Sequence, residues 1–479
     1  MQLAAGGVGN RQTITKLDSA LKALATEMGV KHPWQDREVN YNVVPVFMDY
    51  HPTMDMALIA ATIKNLDGLD YLYCGEVDVT GRFAPLPFPL EVGRLSLEVG
   101  KVVVVPAVSA PVVALTGATV LGIDTVRGLV SLYRGDVAPE VPQPLSVAAL
   151  TPSSWDDMAY IKGQPQAKWA LTVAAAGGHN VLLVGPPGEG KSALAQRAYT
   201  IMAPLTDREA IEVTTLWQAA GRLAPTTMMH TRPFIEATKQ TTPVALLGGG
   251  DAQVGPRPGL VSLAHKGVML ADEFFEWSRT AAESLRVPLQ DKQVNLARRD
   301  WQYTIPADFQ LIATANPCPC GYWGHPTVAC RCSGWQRKRY LDKISGPIFD
   351  RIDIRVKVEP VGDALLAAGD GASSAEIALT VAAAVARQET RYRESGLALT
   401  RNAELKPGMH EALCNEGAGV PDELRLQMSL LGLSSRGVNK LRGLARTVAD
   451  IYGDDAVGPK HVNEAAGLMA WSPDIHGKQ

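Results

Sequence analysis

Six cysteines in 479 residues are too few to staple a disulfide-built scaffold. Charge of one sign is also missing. Lys+Arg 46 against Asp+Glu 49 leaves a net −3, which excludes a wholly basic coating protein and a disordered acidic tail. A local basic patch is still compatible with that balance. Residues 1–10 are small and glycine-rich and lack the basic start and apolar core of a secretory signal. There is no internal repeat and no low-complexity tract. Residues 102–123 form an uncharged run, and a membrane helix needs about 20 apolar residues. Pro106 and Pro111 interrupt the run, and Ser109, Thr116, Gly117 and Thr119 dilute it. Short buried strands with turns are expected there, one of them over 112–115. A cytoplasmic protein without a membrane partner is the expectation.

What is present is ordinary globular composition, 46% hydrophobic and 20% charged. The length suits about three domains. Ile14, Leu17, Leu21, Leu24 and Met28 recur at helical spacing, so residues 1–38 read as a helical segment. Residues 39–145 turn to short β-rich runs around one helix, an α+β domain. Pro139, Pro142, Pro144 and Pro152 mark a linker, placed at 146–153. Residues 154–362 alternate helix and apolar strand, which implies a parallel, helix-covered sheet and an α/β fold. After a glycine-serine joint, 375–475 read as an α-helical lid.

Chemistry concentrates in the α/β segment. The apolar run 181–184 leads into Gly185, Pro186, Pro187, Gly188, Glu189, Gly190, Lys191 and Ser192, a G-x-x-x-x-G-K-S loop opening a helix. Such a loop turns its backbone N–H groups toward phosphate oxygens, and the helix N-terminus adds partial positive charge. Lys191 is expected to reach the β- and γ-phosphates of ATP and Ser192 to ligate Mg²⁺. A second apolar run ends in Asp272 and Glu273. Asp272 would hold Mg²⁺ through water and Glu273 would orient the attacking water. Two acids at a solvated helix start are the alternative. A third run ends in Asn316, a polar tip that in an ATPase of this layout sits near the γ-phosphate; an ordinary turn residue before Pro317 is the alternative. Arg351 and Arg436 are candidates for transition-state charge neutralisation. Spacing alone leaves exposed structural arginines equally open.

Cys318-x-Cys320 and Cys330-x-Cys332 lie close enough in sequence to surround Zn²⁺, with His325 as a possible substitute ligand. Reduced buried thiols are the competing reading. Between Arg286 and Lys343 there are nine basic and four acidic residues, a net +5, so the remainder of the chain carries −8. Arg298 and Arg299 fall in an expected hairpin. Arg337, Lys338 and Arg339 follow the cysteines with Trp335 among them. Basic side chains neutralise phosphates and an aromatic stacks on a base, so these are DNA-contact candidates. Intersubunit ion pairs would use the same residues.

Gly163-Gln164-Pro165-Gln166-Ala167-Lys168, the phosphate loop, Leu246-Leu247-Gly248-Gly249-Gly250, Pro256-Arg257-Pro258-Gly259 and Asn316-Pro317-Cys318-Pro319-Cys320-Gly321-Tyr322 closely resemble the ComM (YifB) family. These are magnesium-chelatase-like AAA+ ATPases. The resemblance implies a hexameric homo-oligomeric ring that binds ATP between subunits. It also implies a motor for DNA branch migration, of helicase type. Relatives of chelatase type remodel a partner protein or metal-insertion enzyme, which is the alternative function. By position in the resemblance, Asn316 matches a sensor asparagine, Arg351 an arginine finger and Arg436 a lid sensor arginine. Residues 221–250, with Met228 and Met229, match a loop insertion facing the ring pore.

The segments around Val39-Asn40-Tyr41 and Gly75-Glu76-Val77 resemble a Lon-protease-like (ribosomal S5 domain 2-like) domain, with the chain starting late relative to it. A Lon-type site needs a serine and a lysine. Thr53-Met54-Asp55 and Pro89-Leu90-Glu91 supply neither, so a degenerate domain without protease activity is expected. Arg232-Pro233-Phe234 is not followed by the histidine pair usual in the family, which bears on the substrate.

Overall fold

The structure, a computed structural model, describes residues 55–63, 71–78, 80–86, 89–134, 156–224, 227–251, 255–297, 302–362 and 371–471. The expected helix around Ile14 to Met28 and the strand around Val43 lie outside the described residues. The chain forms two compact units, one of residues 1–149 with 206–230 and one of 150–205 with 231–479.

In the first unit, α1 (Asp55–Ile63) precedes β1 (Tyr71–Tyr73), α2 (Pro89–Val99), β2 (Val102–Val105), α3 (Ala110–Ala114), β3 (Val120–Gly122) and α4 (Val126–Arg134). The three strands are parallel and lie in the order β1-β2-β3. Met56, Ile59, Val104 and Leu129 are fully buried at the centre of one cluster. The valines at 112 and 113 were expected in a strand and are helical instead. Pro111 stands in the first helical turn, where its fixed φ favours helix and its missing N–H costs nothing. Both valines are fully buried. Burial is worth about 1.5–3 kcal/mol each, against a helix-propensity cost of about 0.5–0.7 kcal/mol per valine. Burial therefore decides, and the α3 geometry supplies it.

The second unit opens with a short 3-10 turn (Met158–Tyr160) and α5 (Pro165–Gly177), then β4 (Val181–Val184) and α6 (Lys191–Arg197). The next helix, α7 (Asp207–Ala219), is closed by a Thr206–Glu209 capping box and belongs to the first unit, not to the α/β segment in which its sequence lies. The chain returns with β5 (Phe234–Ala237), the antiparallel pair β6 (Gly248–Asp251) and β7 (Gly255–Pro258), then β8 (Val268–Ala271). A second antiparallel pair, β9 (Gln293–Ala297) and β10 (Gln302–Pro306), precedes β11 (Gln310–Ala315), α8 (Gly334–Leu341) and β12 (Ile354–Lys357). The lid contributes α9 (Ser374–Glu394), α10 (Val420–Leu431), α11 (Ser435–Tyr452) and α12 (Pro459–Gly467).

Five strands form one parallel sheet, ordered β12-β4-β11-β8-β5. The three inner strands β4, β8 and β11 are buried at every position; β4 and β8 are wholly apolar, and β11 is apolar apart from Gln310 and Thr314. The two edges, β5 and β12, alternate buried with accessible residues and carry Glu236 and Arg355, so their apolar signal is weak. The phosphate-loop segment and the lid share one hydrophobic core: Leu171, Val181, Leu183 and Ile354 pack in the same cluster as Val381, Leu441, Leu444, Val448 and Val462. Among the described residues no helix is long and apolar enough to cross a membrane.

A buried polar network fastens the lid. Asp450 is fully buried and accepts hydrogen bonds from Arg446, Arg391 and Asn402. The remaining Arg446 donors reach the carbonyls of Cys414, Asp454 and Asp455. Thr447 on α11 meets His179 Nε2 at 2.9 Å, and Lys440 pairs with Asp353 at 2.8 Å. Burial alone would raise the Asp353 carboxyl. Lys440 and His179 outweigh it and hold the group well below the usual carboxylate range. These bonds seat α11, from Lys440 to Thr447, against the N-terminal edge of the sheet, just before β4 and β12.

Candidate nucleotide site

The C-terminal edge of the sheet gathers the predicted phosphate chemistry. The loop leaves β4 at Gly185, where an added Cβ would stand 2.4 Å from the Val358 carbonyl, so only glycine fits. Gly188 and Gly190 take left-handed φ of 86° and 79° in open space. Lys191 starts α6 and is largely buried. Its ammonium donates to the carbonyls of Gly185 (2.8 Å) and Pro186 (2.5 Å) and to Asn316 Oδ1 (3.2 Å). The loop thus folds back on its own lysine. Burial draws the Lys191 ammonium down to about 8, against the pull of the Asp272, Glu189 and Glu273 carboxylates.

Ser192 Oγ donates to Asp272 Oδ1 at 2.9 Å, which joins the loop to the end of β8. The same carboxylate oxygen accepts from Thr314 Oγ1 at 2.5 Å, and Trp277 Nε1 donates to the Asp272 carbonyl at 2.9 Å. A hydroxyl and a carboxylate are hard oxygen donors of the kind that bind Mg²⁺, so this pair fits the ion that the loop implies. Glu273 takes a left-handed φ of 50°, strained for a non-glycine residue and typical of functional positions. Its N–H donates to Thr314 Oγ1 at 3.1 Å, and its carboxylate pairs with Lys239 at 2.9 Å. That carboxylate holds Lys239 above the ordinary ammonium range.

Thr314 and Lys239 escape sequence reasoning. Thr314 reads as one more β-branched strand residue, and Lys239 follows an edge strand with little apolar signal. Gln164 is a third case. It has φ 56° before Pro165 and donates to the Glu359 carbonyl at 2.7 Å, tying the entry of α5 to the segment beyond β12. Its only sequence signal is membership of the Gly163-Gln164-Pro165 motif.

Arg351 and Arg436 come together, at the other edge of the sheet. Asn180, the residue before β4, donates from Nδ2 to the Arg351 carbonyl at 2.9 Å. The phosphate loop leaves the opposite end of that strand, roughly 15 Å away at about 3.3 Å per residue. The Arg351 guanidinium donates to the Pro347 carbonyl and to Gln290, while its Nε is buried with no hydrogen-bond partner among the described residues. Arg436 lies on the first turn of α11, two-thirds exposed, 3.6 Å from Asp350. Burial and the neighbouring Arg286 and Arg436 charges lower the Arg351 guanidinium from its ordinary value. Asp350, Arg436, Lys440 and Phe349 line one surface cavity there.

The four cysteines Cys318, Cys320, Cys330 and Cys332 do converge, with all four sulfurs within 4.8 Å of one another. His325 stands outside that cluster. Its Nδ1 accepts from the N–H groups of Thr327 and Val328 and closes a turn. Of the DNA-contact candidates, Arg337 stacks over Trp323 at 5.1 Å and Arg339 over Trp335 at 5.2 Å. Lys338 is exposed, and Trp335 is 67% exposed on α8. Arg298 and Arg299 lie outside the described residues, between the paired strands β9 and β10. Met228 and Met229 are buried, and Met229 N–H donates to Thr214 of α7. They pack in the first unit, which corrects the expectation of a pore-facing insertion at these two positions.

Comparison with known proteins agrees with the geometry. Residues 157–365 match the model of magnesium chelatase, subunit ChlI, and residues 371–468 match that of its C-terminal part. An uncharacterized protein of Mycobacterium tuberculosis is 36% identical over 426 residues, 87% of this chain and 82% of its own. The uncharacterized protein YifB of Escherichia coli is 31% identical over 473 residues, 96% of this chain and 90% of its own. Competence protein ComM of Haemophilus influenzae is 34% identical over 316 residues, 66% of this chain and 60% of its own.

Proposed function

The chain belongs to the magnesium chelatase ChlI family of AAA+ ATPases, with YifB and ComM among its relatives, and from that premise we propose an ATP-hydrolysing ring motor that acts on branched or single-stranded DNA. The observation that carries the reading is the division of the machinery between two edges of one sheet. Lys191, Ser192, Asp272, Glu273 and Asn316 gather at the C-terminal edge. Arg351 and Arg436 stand at the N-terminal edge, tied to Asn180, Pro347 and Asp350. A head-to-tail ring brings the second edge of one subunit to the first edge of the next. We infer six subunits from the resemblance, with each ATP held between two.

In that arrangement Lys191 exchanges its loop carbonyls for phosphate oxygens. Asn316, already bonded to Lys191, reports on the same charge. Ser192 and Asp272 would hold Mg²⁺, which when bound neutralises charge on the β- and γ-phosphate oxygens. Glu273 accepts a proton from the attacking water, with Thr314 fixing its backbone. Arg351 of the neighbouring subunit neutralises transition-state charge, with Arg436 beside it. Arginines in this role contribute about 10³–10⁵ in rate.

The DNA reading rests on α8, where Lys338, Arg339 and the exposed Trp335 offer phosphate contacts and a stacking face. The test is ATP hydrolysis by the full chain without DNA, with single strands and with a four-way junction, alongside strand displacement from a labelled junction. Junction DNA is expected to stimulate hydrolysis, and displacement is expected to require Glu273. Hydrolysis that ignores every DNA and rises only with a protein partner would refute the DNA reading in favour of a chelatase-type remodelling motor.

A further inference from the structure

We propose that Cys318, Cys320, Cys330 and Cys332 form a tetrathiolate zinc site that locks the loop after Asn316 against the phosphate loop. The sulfur–sulfur separations are 3.4 Å for Cys318–Cys320 and 3.6 Å for both Cys318–Cys330 and Cys320–Cys330. A tetrahedral ion with Zn–S near 2.3 Å has sulfur–sulfur edges of about 3.8 Å. Two disulfides would instead show two pairs at about 2.0 Å with the pairs farther apart. Three mutually touching sulfurs with a fourth within 4.8 Å match the tetrahedron and not the pairs. Cys318 is buried and the other three are partly accessible, so the site has a closed floor and an entry path.

The surroundings favour thiolate ligands. The N–H groups of Tyr322 and Arg331 donate to the Cys320 sulfur. Backbone N–H groups aimed at a sulfur orient and stabilise a metal-bound thiolate.

The position gives the site a purpose in the proposed reaction, and this part of the inference rests on that reading. Cys318 is two residues beyond Asn316. Gly321 has φ +83°, and an added Cβ there would lie 2.6 Å from Pro187 Cδ in the phosphate loop. Pro317, Trp323 and Gly324 line one cavity together with Gly185 and Pro186. On the other side, Ser333 caps α8 directly after Cys332, and Arg337 stacks on Trp323. One ion therefore fixes both the γ-phosphate sensor and the start of the basic helix.

The experiment measures metal in the full chain purified under reducing conditions, then replaces it with Co²⁺. One zinc per chain is expected, and the cobalt form should show the strong visible bands and sulfur-to-metal charge transfer of tetrahedral four-sulfur coordination. Cys318→Ser should lose the ion. Cys332→His should keep it and shift the cobalt spectrum toward three-sulfur-one-nitrogen coordination. If Cys318→Ser does not fold, the cobalt titration of the unmodified chain decides. No stoichiometric metal after reconstitution, an octahedral oxygen-type spectrum, or two native disulfides would overturn the site. Zinc removal with a chelator should weaken binding of a non-hydrolysable ATP analogue about tenfold, within the range typical for disturbed positioning shells. Unchanged nucleotide affinity would overturn the locking role. Metal content and cobalt spectrum do not depend on hydrolysis or DNA, so this failure is distinct from failure of the motor reading.

Discussion

Raising the pH should weaken nucleotide binding through Lys191. In the free chain this ammonium is buried among loop carbonyls and titrates at about 8. Beside phosphate it must be charged, so the bound state keeps its proton well above that value. As pH rises through 8 the free chain loses a proton that binding has to restore. Affinity is then flat below pH 7 on this account and falls tenfold for each further unit well above 8. At pH 9 about ten of eleven free chains carry a neutral Lys191, a penalty of about 1.4 kcal/mol. Titration with a fluorescent non-hydrolysable ATP analogue from pH 7 to 9.5 reads the affinity. Calorimetry in buffers of different ionisation enthalpy reads the proton taken up, about half at pH 8 and nearly one at pH 9. Lys191→Arg supplies the control, because a guanidinium stays charged throughout. Affinity that is level to pH 9.5, or an equal slope in Lys191→Arg, would refute the reasoning.

Other perturbations separate the remaining roles. Glu273→Gln should lower kcat by about 10²–10⁴, with analogue binding unchanged within twofold; equal losses in both would deny the base role. Thr314→Val removes the bonds to Asp272 Oδ1 and to the Glu273 N–H. At about 1 kcal/mol per bond it should cut kcat roughly tenfold or more, and an unaltered kcat would remove Thr314 from the site. Asp450→Ala leaves Arg446 and Arg391 without their shared carboxylate in the buried lid network. Urea unfolding should show a loss of about 3–5 kcal/mol, and a loss below 1 kcal/mol would contradict the network's role.

Legibility followed burial. The inner strands β4, β8 and β11 are visible in the sequence because their buried positions are apolar almost throughout, with Gln310 and Thr314 of β11 the exceptions, and each leads directly into a residue of the site. The edge strands β5 and β12 are not, since half of each faces outward and may be polar without cost. The turn 185–192 is legible because glycine and lysine are required there by phosphate geometry. Thr314 is hidden because its hydroxyl serves the site from within a strand that wants β-branched residues anyway. The pairing of Arg351 with Arg436 is also hidden. It depends on how Asn180, Asp353 and Lys440 join two elements almost ninety positions apart in sequence, which only the fold supplies. The valines at 112 and 113 show the reverse error, a strand-like composition placed in a helix by one proline and by burial.

The division of the site between sheet edges makes the most direct test a subunit-mixing measurement. Lys191→Ala chains keep Arg351, and Arg351→Ala chains keep the phosphate loop. Each ring alone should be inactive in ATP hydrolysis. After dissociation and joint reassembly at equal amounts, random order leaves about a quarter of head-to-tail interfaces with both halves intact. The account predicts recovery toward that fraction of the unmodified rate. Mixed rings as inactive as either parent would contradict it.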